Sequence, residues 1–270
     1  MSPAALRPVT DPLSVQWIQH CREVDRTPPN TLLRRESVLR SIGNAGTATR
    51  EDVEAWWASR AHLSPATRSN DLAILRTFYA WCRRWEHRDD DPTLRIDAPK
   101  VPRGLPRPMS RADLTRLLPT LPDDLRRAVC LGAYGGLRVS EAAALTWHDV
   151  DLETRRVRVL GKGGKTRLVG MSPLLLDELL PDTGGNVVTA GGAPYSAAAL
   201  QRRVNRAIRA AGVECTYHQL RHRFGTVALA ATGNLLAVSR AMGHASPATT
   251  AIYAATSDAD LDVIADAVTR

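Results

Sequence analysis

Apolar residues recur at helical spacing through the first hundred positions, and this pattern predicts four helices. The third is expected to begin at Thr49, with Asp52 three residues later, and the fourth at Ser64, before Pro65. Both are typical helix starts. The fourth helix has a predicted buried stripe of Leu72, Leu75, Tyr79, Cys82 and Trp85. The four other tryptophans of this region are expected mainly in its core: Trp17, Trp56, Trp57 and Trp81.

A short alternating pattern interrupts the helices in the second half of the chain. Valines alternate with arginines in RVRVL (156–160), and Leu168 and Val169 resume an apolar strand after GKGGK (161–165), which predicts a β-hairpin. The pair Gly163-Gly164 suits a two-residue turn. This interpretation places Lys162 opposite Lys165 across the hairpin.

The stretch TYHQLRHRFGTVALAATG predicts a helix that begins at Thr216, with a capping box to Gln219, and ends at Gly233. Its predicted buried stripe comprises Leu220, Phe224, Val227 and Ala231. His218 and Arg221 share one face of its first turns. Because helix N-termini attract phosphate, the pair predicts a phosphate site. The alternative is that a single His-x-x-Arg consists of surface residues without a function.

Two glycine breaks precede further candidate residues. In GLRVSE, Arg138 stands three residues before Glu141, a spacing that lets the carboxylate hold the guanidinium group; a structural salt bridge is the alternative. A second helix is expected to end at Gly243, with His244 in the turn. A following helix would carry Tyr253 as a candidate functional residue. The alternative is that Tyr253 is a half-buried residue with a structural role only.

Composition points to two globular domains joined by a basic linker. The segment 96–110 has four prolines interleaved with three cations, which disfavours a helix. It suits either a strap along a phosphate backbone or a solvated linker. The formal net charge is +8, most of it after residue 100, which fits a polyanionic partner.

Other function classes receive no support from the sequence. It has no apolar run of bilayer-spanning length and no secretory signal, and its four cysteines are scattered without a Cys-x-x-Cys pair. A reducing cytosol is therefore expected. Neither a Walker-type loop nor a carboxylate cluster for magnesium is found, so no metal or other cofactor is expected.

The hairpin is unusual for its lysines. The chain has only three lysines among its 36 basic residues, and two of them are Lys162 and Lys165. Arginine stays charged at any working pH whereas lysine can release a proton. Retained lysines therefore indicate proton transfer, although chance in an exposed turn explains them equally well.

Four stretches, in their order, resemble the motifs of the tyrosine recombinases, the phage-integrase and Xer group: GLRVSE, GKGGKTRLV, HQLRHRFGT and MGHASPATTAIY. The resemblance implies a mainly α fold with a small antiparallel β-sheet. We expect a helical core-binding (SAM-like) DNA-binding domain at 1–98, a Pro-rich basic linker at 99–109 and a catalytic domain at 110–270. The last would include a C-terminal tail helix.

The resemblance implies a catalytic set of Arg138, Lys162, His218, Arg221, His244 and Tyr253. Tyr253 would attack the scissile phosphate and leave a 3′-phosphotyrosyl link. The two arginines and His244 would stabilise the transition state. His218 would assist proton transfer, and Lys162 would protonate the departing 5′-oxygen. Lys165 and Arg167 would contact DNA.

The family also implies partners. These are double-stranded DNA attachment sites and three further copies of the chain, in a homo-tetramer on DNA, with any directionality factor and the host undetermined. The expected location is the nucleoid of a bacterial cytoplasm, with no membrane partner. The tail helix would dock on a neighbouring protomer, and packing within its own chain is the alternative.

Departures from the Xer pattern favour one branch of the family. Gly170 replaces a usual proline, Arg223 and Gly225 replace small residues, and no histidine follows Tyr253 closely. We therefore expect a compact integrase of a phage or mobile element, without an arm-binding domain. The alternatives are a Xer-like dimer resolvase, a DNA-relaxing enzyme of the type IB topoisomerase class and a DNA-binding protein without activity.

Overall fold

A computed structural model describes residues 8–101, 107–161, 164–179 and 184–243. The chain divides into two compact units, residues 1–103 and 104–270, and each has its own hydrophobic core. The expected fold class is confirmed, because the elements are mainly helices with small antiparallel sheets. Along the linker, residues 97–101 and 107–110 belong to no helix or strand. The exact domain boundaries stay a prediction.

Four helices form the described part of the first unit, as the sequence predicts. They span Pro12–Glu23 (α1), Pro29–Ile42 (α2), Arg50–Ser59 (α3) and Pro65–Arg84 (α4). Both predicted helix starts are confirmed. The Thr49 backbone N–H donates to Asp52 Oδ2 over 2.9 Å, and Ser64 Oγ accepts a hydrogen bond from Thr67 N at 3.2 Å.

The core of this unit is aromatic. Trp17 is 1% exposed and packs edge-on against Phe78, with ring centroids 5.4 Å apart. The expected packing role is confirmed for all four tryptophans, which lie in the core or against it: Trp17, Trp56, Trp57 and Trp81. In the predicted stripe, four residues are buried: Leu72, Leu75, Tyr79 and Cys82. Trp85 was wrongly included, since it is 53% exposed and follows the last residue of α4.

One buried carboxylate ties three helices of the first unit together. Asp71 of α4 is 0% exposed and accepts hydrogen bonds from Arg34 of α2 and from Arg60, which follows α3. The Arg60 guanidinium also lies over the Trp56 ring, 5.2 Å from its centroid. Since an unpaired buried charge is strongly unfavourable, these two arginines are what make Asp71 compatible with the core.

The second unit contains seven described α-helices and two small sheets. The helices are Arg111–Leu117 (α5), Asp123–Gly135 (α6), Val139–Ala144 (α7), Pro173–Glu178 (α8), Ala197–Ala210 (α9), Tyr217–Thr232 (α10) and Leu235–Met242 (α11). The strands are Val150–Asp151 (β1), Arg156–Leu160 (β2), Thr166–Gly170 (β3), Thr189–Ala190 (β4) and Ala193–Pro194 (β5). Strands β1, β2 and β3 form one antiparallel sheet, and β4 pairs with β5.

Helix α6 is central, because α7, α8, α9 and α10 all pack against it. It contacts α10 at Gly132, where an added Cβ would lie 3.1 Å from Cζ of Tyr217. The glycine therefore lets α10 approach closely, and α10 carries two of the predicted catalytic residues on its first turns.

The predicted hairpin is present, but its register differs from the prediction by one residue. Val157 pairs with Val169, and Gly161 N donates to Lys165 O over 2.8 Å. Lys165 therefore faces Gly161, and its predicted pairing with Lys162 is wrong. The predicted register would have placed Val169 on the exposed face, and a one-residue slip exchanges the two faces of a strand. Burial of the valines decides the register.

Leu168 was expected to continue an apolar strand, but it lies on the outer face of the sheet. It pairs with Arg158 and is 63% exposed, whereas Val169 is 2% exposed. The inner face of β3 thus consists of alternate residues, as a strand with one buried face requires. Arg167 occupies that inner face.

The predicted limits of α10 are confirmed. Gln219 Oε1 accepts a hydrogen bond from Thr216 N at 2.8 Å, and Gly233 ends the helix with φ +61°.

The predicted stripe of α10 is confirmed only in its first half. Leu220 is buried, but Val227 is 51% exposed and Ala231 is exposed. Beyond Phe224 the helix packs on α11, so Ala228 and Leu229 cover the buried side instead. The prediction extended one apolar stripe along the whole helix and therefore did not include the contact with α11.

Candidate active site

The candidate site begins at the break between α6 and α7. Gly136 ends α6 with φ +65°, and an added Cβ would lie 2.5 Å from the Phe224 ring. Only glycine fits there, since both the backbone conformation and the space exclude a side chain. Arg138 follows immediately before α7, and its side chain is 39% exposed. The break thus leaves this guanidinium group partly open to solvent.

Glu141 of α7 lies at the centre of the site and is 7% exposed. Its Oε2 accepts a hydrogen bond from Arg138 N at 2.7 Å, and its Oε1 accepts one from Arg138 Nη1 at 2.8 Å. The predicted contact between the two residues is therefore confirmed. Burial raises the pKa of this carboxyl, but hydrogen bonds from Arg167 and Arg138 outweigh burial, so the net pKa lies below its ordinary range. Glu141 is ionised at neutral pH.

Arg167 binds the same carboxylate from the inner face of β3. Its Nη1 and Nη2 donate to Glu141 Oε1 and Oε2 over 2.9 and 2.7 Å, and its Nε donates to Ala241 O over 2.8 Å. Each guanidinium nitrogen thus has a partner within the unit, and the side chain is 10% exposed. The DNA contact that the resemblance implies for Arg167 stays a prediction. The alternation of residues along the strand could have predicted that Arg167 points inward, because it lies two residues from buried Val169 and so shares its face.

Arg221 enters the site from the first turns of α10 and is 2% exposed. Its Nη1 donates to Gly136 O and its Nη2 to Met242 O, both over 2.5 Å. Its Nη1 also lies 3.8 Å from Glu141 Oε2. One carboxylate therefore lies among three guanidinium groups, and the formal charge of this cluster is positive. Such a cluster favours an anionic ligand.

The C-terminal end of α11 closes the site. The last carbonyls of a helix lack intrahelical partners and carry a partial negative charge. Here the carbonyls of residues 241, 242 and 243 accept hydrogen bonds from Arg167, Arg221 and Arg138, respectively, at 2.8, 2.5 and 3.2 Å. The helix end therefore orients the same arginines that Glu141 holds.

Two histidines lie one turn apart at the start of α10, and the first of them, His218, shares a face with Arg221. His218 and His222 contact each other edge to face, with ring centroids 4.4 Å apart. Desolvation, together with the charges of Arg221 and Arg138, lowers the pKa of His218. Desolvation and His218 lower the pKa of His222 to about 4. Both imidazoles are therefore neutral at neutral pH, and a neutral imidazole can accept a proton.

The structure brings together three of the predicted catalytic residues, Arg138, His218 and Arg221. Lys165 is exposed next to β3. The other predicted catalytic residues lie outside the described part of the chain: Lys162, His244 and Tyr253. The predicted helix with Tyr253 and the predicted tail helix also lie there. The individual roles of all these residues stay predictions.

Within the described ranges, no helix combines the length and the apolar character needed to cross a membrane. The same ranges contain no group of three or more His, Cys, Asp or Glu side chains arranged to hold a metal ion.

Comparison with known proteins identifies relatives. Residues 109–260 match the model of the phage integrase family. The chain is 37% identical over 210 residues to tyrosine recombinase XerC of Xanthomonas campestris pv. campestris strain B100, covering 72% of this chain and 65% of that protein. It is 35% identical over 225 residues to tyrosine recombinase XerD of Xanthomonas axonopodis pv. citri strain 306, covering 73% of this chain and 74% of that protein. The match thus spans slightly less than two thirds of the first relative.

Solved structures share the fold. The Tn1549 transposon integrase in complex with transposon right end DNA aligns with a TM-score of 0.75 at 18% identity, covering 96% of this chain and 99% of that one. A lambda integrase dimer bound to a COC' core site aligns with a TM-score of 0.74 at 16% identity, covering 89% and 93%. At these identities the likeness concerns the fold alone.

Proposed function

The chain belongs to the phage integrase family of tyrosine recombinases, and on this premise we propose that it is a site-specific DNA recombinase. It would cut and rejoin DNA strands through a 3′-phosphotyrosyl intermediate. The observation that carries the proposal is the positively charged cluster in which Glu141 and the end of α11 hold Arg138 and Arg221. Fixed guanidinium groups of this kind stabilise the charge that develops on a phosphate during substitution.

The proposed reaction assigns each step to one of the predicted catalytic residues. The hydroxyl oxygen of Tyr253 attacks phosphorus, the bond from phosphorus to the 5′-oxygen breaks, and Lys162 protonates the departing oxygen. His218, neutral at neutral pH because its pKa is lowered, accepts the tyrosine proton. His244 donates a further hydrogen bond to the phosphate.

This chemistry needs no external energy source. The phosphotyrosyl ester retains the energy of the broken phosphodiester, so the reverse substitution by a free 5′-hydroxyl rejoins the strand without ATP. The guanidinium groups supply the positive charge that the phosphate requires, so the proposed mechanism uses no metal ion.

The proposed substrate is double-stranded DNA that carries attachment sites, bound by four copies of the chain. Lys165, exposed beside the hairpin turn, is proposed to contact that DNA. We propose that the protein acts at the nucleoid in a bacterial cytoplasm, with any directionality factor undetermined. Integration or excision of a phage or mobile element is the favoured role. Resolution of chromosome or plasmid dimers is the second candidate, favoured by the XerC and XerD relatives.

A covalent-trapping experiment tests the reaction class. Binding sites are selected from a pool of random duplexes and rebuilt as nicked suicide substrates. The native chain and its Tyr253→Phe variant are then compared on a denaturing gel in the presence of a chelator. An adduct from the native chain alone supports the proposal. No adduct on duplexes that the chain binds would leave a DNA-binding protein without cleavage activity.

A second assay separates the enzyme classes. Two duplexes carrying the selected site are mixed with the native chain, and a supercoiled plasmid without the site serves as the control. Recombinant duplexes indicate a recombinase. Relaxation of the control plasmid without strand exchange would indicate a topoisomerase.

A further inference from the structure

Arg167 joins three parts of the second unit at one point. From β3, its guanidinium group binds both oxygens of Glu141 through Nη1 and Nη2, and its Nε donates to the carbonyl of Ala241 in the last turn of α11. The side chain is 10% exposed. Arg167 thus links the Glu141 carboxylate, which also binds Arg138, to the end of α11, whose carbonyls also accept a hydrogen bond from Arg221.

Arginine is suited to this link for a geometrical reason. A guanidinium group is planar, and its paired N–H groups match the two oxygens of a carboxylate while Nε remains available for a third acceptor. A lysine ammonium carries the same charge but lacks this fork. Substitution of Arg167 by lysine therefore keeps the positive charge but removes the paired hydrogen bonds, so the two effects can be tested separately.

The end of α11 lies directly over the Arg167 side chain. Gly243 has φ +63°, and an added Cβ would lie 3.0 Å from both Cδ and Nη1 of Arg167. Glycine favours this backbone conformation, which leads the chain out of the helix. The contact is therefore tight enough for a change on either side to displace the other.

We propose that Arg167 is a positioning residue, which locks the end of α11 onto Glu141 and so fixes the point from which the chain continues toward His244 and Tyr253. The inference rests on the proposed function, in which those residues act on the phosphate. Arg167 itself touches neither the substrate nor the reacting atoms. Its importance lies in fixing the end of α11, after which the predicted nucleophile follows in the sequence.

The main experiment uses the conservative variant Arg167→Lys in the full chain. The dissociation constant for a selected duplex and the single-turnover cleavage rate at saturating duplex are both measured. Because small displacements of reacting groups lower rates steeply, cleavage should slow by about 10- to 100-fold, with unchanged affinity. The matched control is Arg158→Lys, on the exposed face of the same sheet with a 59% exposed side chain, which should leave cleavage unchanged.

A second variant perturbs the same contact from the other side. Gly243→Ala keeps the charge of Arg167 but places a methyl group against its guanidinium. It should slow cleavage without weakening DNA binding, as Arg167→Lys does. Thermal unfolding of each variant verifies that the protein is folded at the assay temperature, and agreement between the two variants excludes a defect peculiar to either.

Two results would overturn the proposal. The first is weaker binding with a salt dependence reduced by about one phosphate contact and normal cleavage at saturation, which would make Arg167 a direct DNA contact. The second is normal binding and normal cleavage, which would make the link dispensable.

Amide hydrogen exchange in the last turn of α11 provides a readout independent of activity. Exchange should be faster in Arg167→Lys than in the native chain, and unchanged exchange would contradict the anchoring role. If the native chain forms no covalent adduct, the proposed function fails. The exchange result then still decides whether Arg167 anchors α11.

Discussion

The two units each contain a buried carboxylate bound by arginines, and the two clusters differ in what surrounds the arginines. Asp71 is 0% exposed and binds Arg34 and Arg60 among packed helices. Glu141 is 7% exposed and lies among three arginines, each of which also donates to a helix-end carbonyl.

The comparison shows that a buried ion pair has no fixed role. In the first unit, the acid connects three helices, and the Arg60 guanidinium also packs on an aromatic ring. In the second unit, three arginines instead of two share one acid, and helix-end carbonyls fix the orientation of each guanidinium group. The same residue types thus form a structural connection in one place and, on the proposed function, a phosphate site in the other. The difference lies in the number of arginines and in the remaining partners of each guanidinium group.

Removal of the charge from Glu141 should have the largest effect on activity. Glu141→Gln keeps the side-chain shape but leaves three guanidinium groups without their counter-charge, so cleavage should fall by about 100-fold or more. Single-turnover cleavage at saturating DNA measures this effect. Cleavage within about twofold of native would show that the helix-end carbonyls orient the arginines without the carboxylate.

The matched change in the first unit should affect stability instead. Asp71→Asn removes one partner of a buried ion cluster, which should lower the free energy of unfolding by about 3 kcal/mol. Cleavage at saturating DNA should remain within about twofold of native at temperatures where the variant is folded. Denaturant titration and the cleavage assay are run on the same preparation. A loss of cleavage as large as that of Glu141→Gln would remove the distinction between the two clusters.

A smaller, pH-dependent effect is expected near the Glu141 cluster. The pKa of His222 lies at about 4 instead of its ordinary 6.5, so the unfolded chain binds a proton as pH falls from 6.5 while the folded chain does not. Folding stability should therefore decline between pH 6.5 and 4. The lowered pKa of Glu141 also reduces folding stability in acid, but at lower pH. The stabilisation from ionised Glu141 is fully present above pH 4.5 and is lost as the pH falls through the pKa of Glu141 in the folded protein.

The variant His222→Gln distinguishes the two contributions. It should reduce the decline between pH 6.5 and 4 in denaturant titrations, in which His218 also takes part because its pKa is lowered too, while the loss at lower pH persists. An unchanged slope in the upper range would mean that other groups dominate the acid sensitivity.

Features that depend on neighbouring residues were predictable. The sequence indicated the helix starts at Thr49, Ser64 and Thr216 because capping involves residues within about four positions of each other. It also indicated the contact of Arg138 with Glu141, three residues apart. The order of the four motifs identified the family, which the comparisons confirm.

Other features depended on residues distant along the chain. The hairpin register follows from which face of β3 is buried, and the second half of α10 turns a different side inward because α11 packs there. Trp85 was assigned to the core because a periodic stripe does not show where its helix ends.

By itself, then, the sequence determined the local elements, the family and the identity of the candidate catalytic residues, since these depend on short spacings and residue chemistry. Only the tertiary structure decided which of these side chains are exposed and which have their partners inside the unit. Arg167 shows the reason: its partners lie 26 and 74 residues away, at Glu141 and Ala241. No local pattern specifies such contacts, because they arise when separate elements pack around one buried carboxylate.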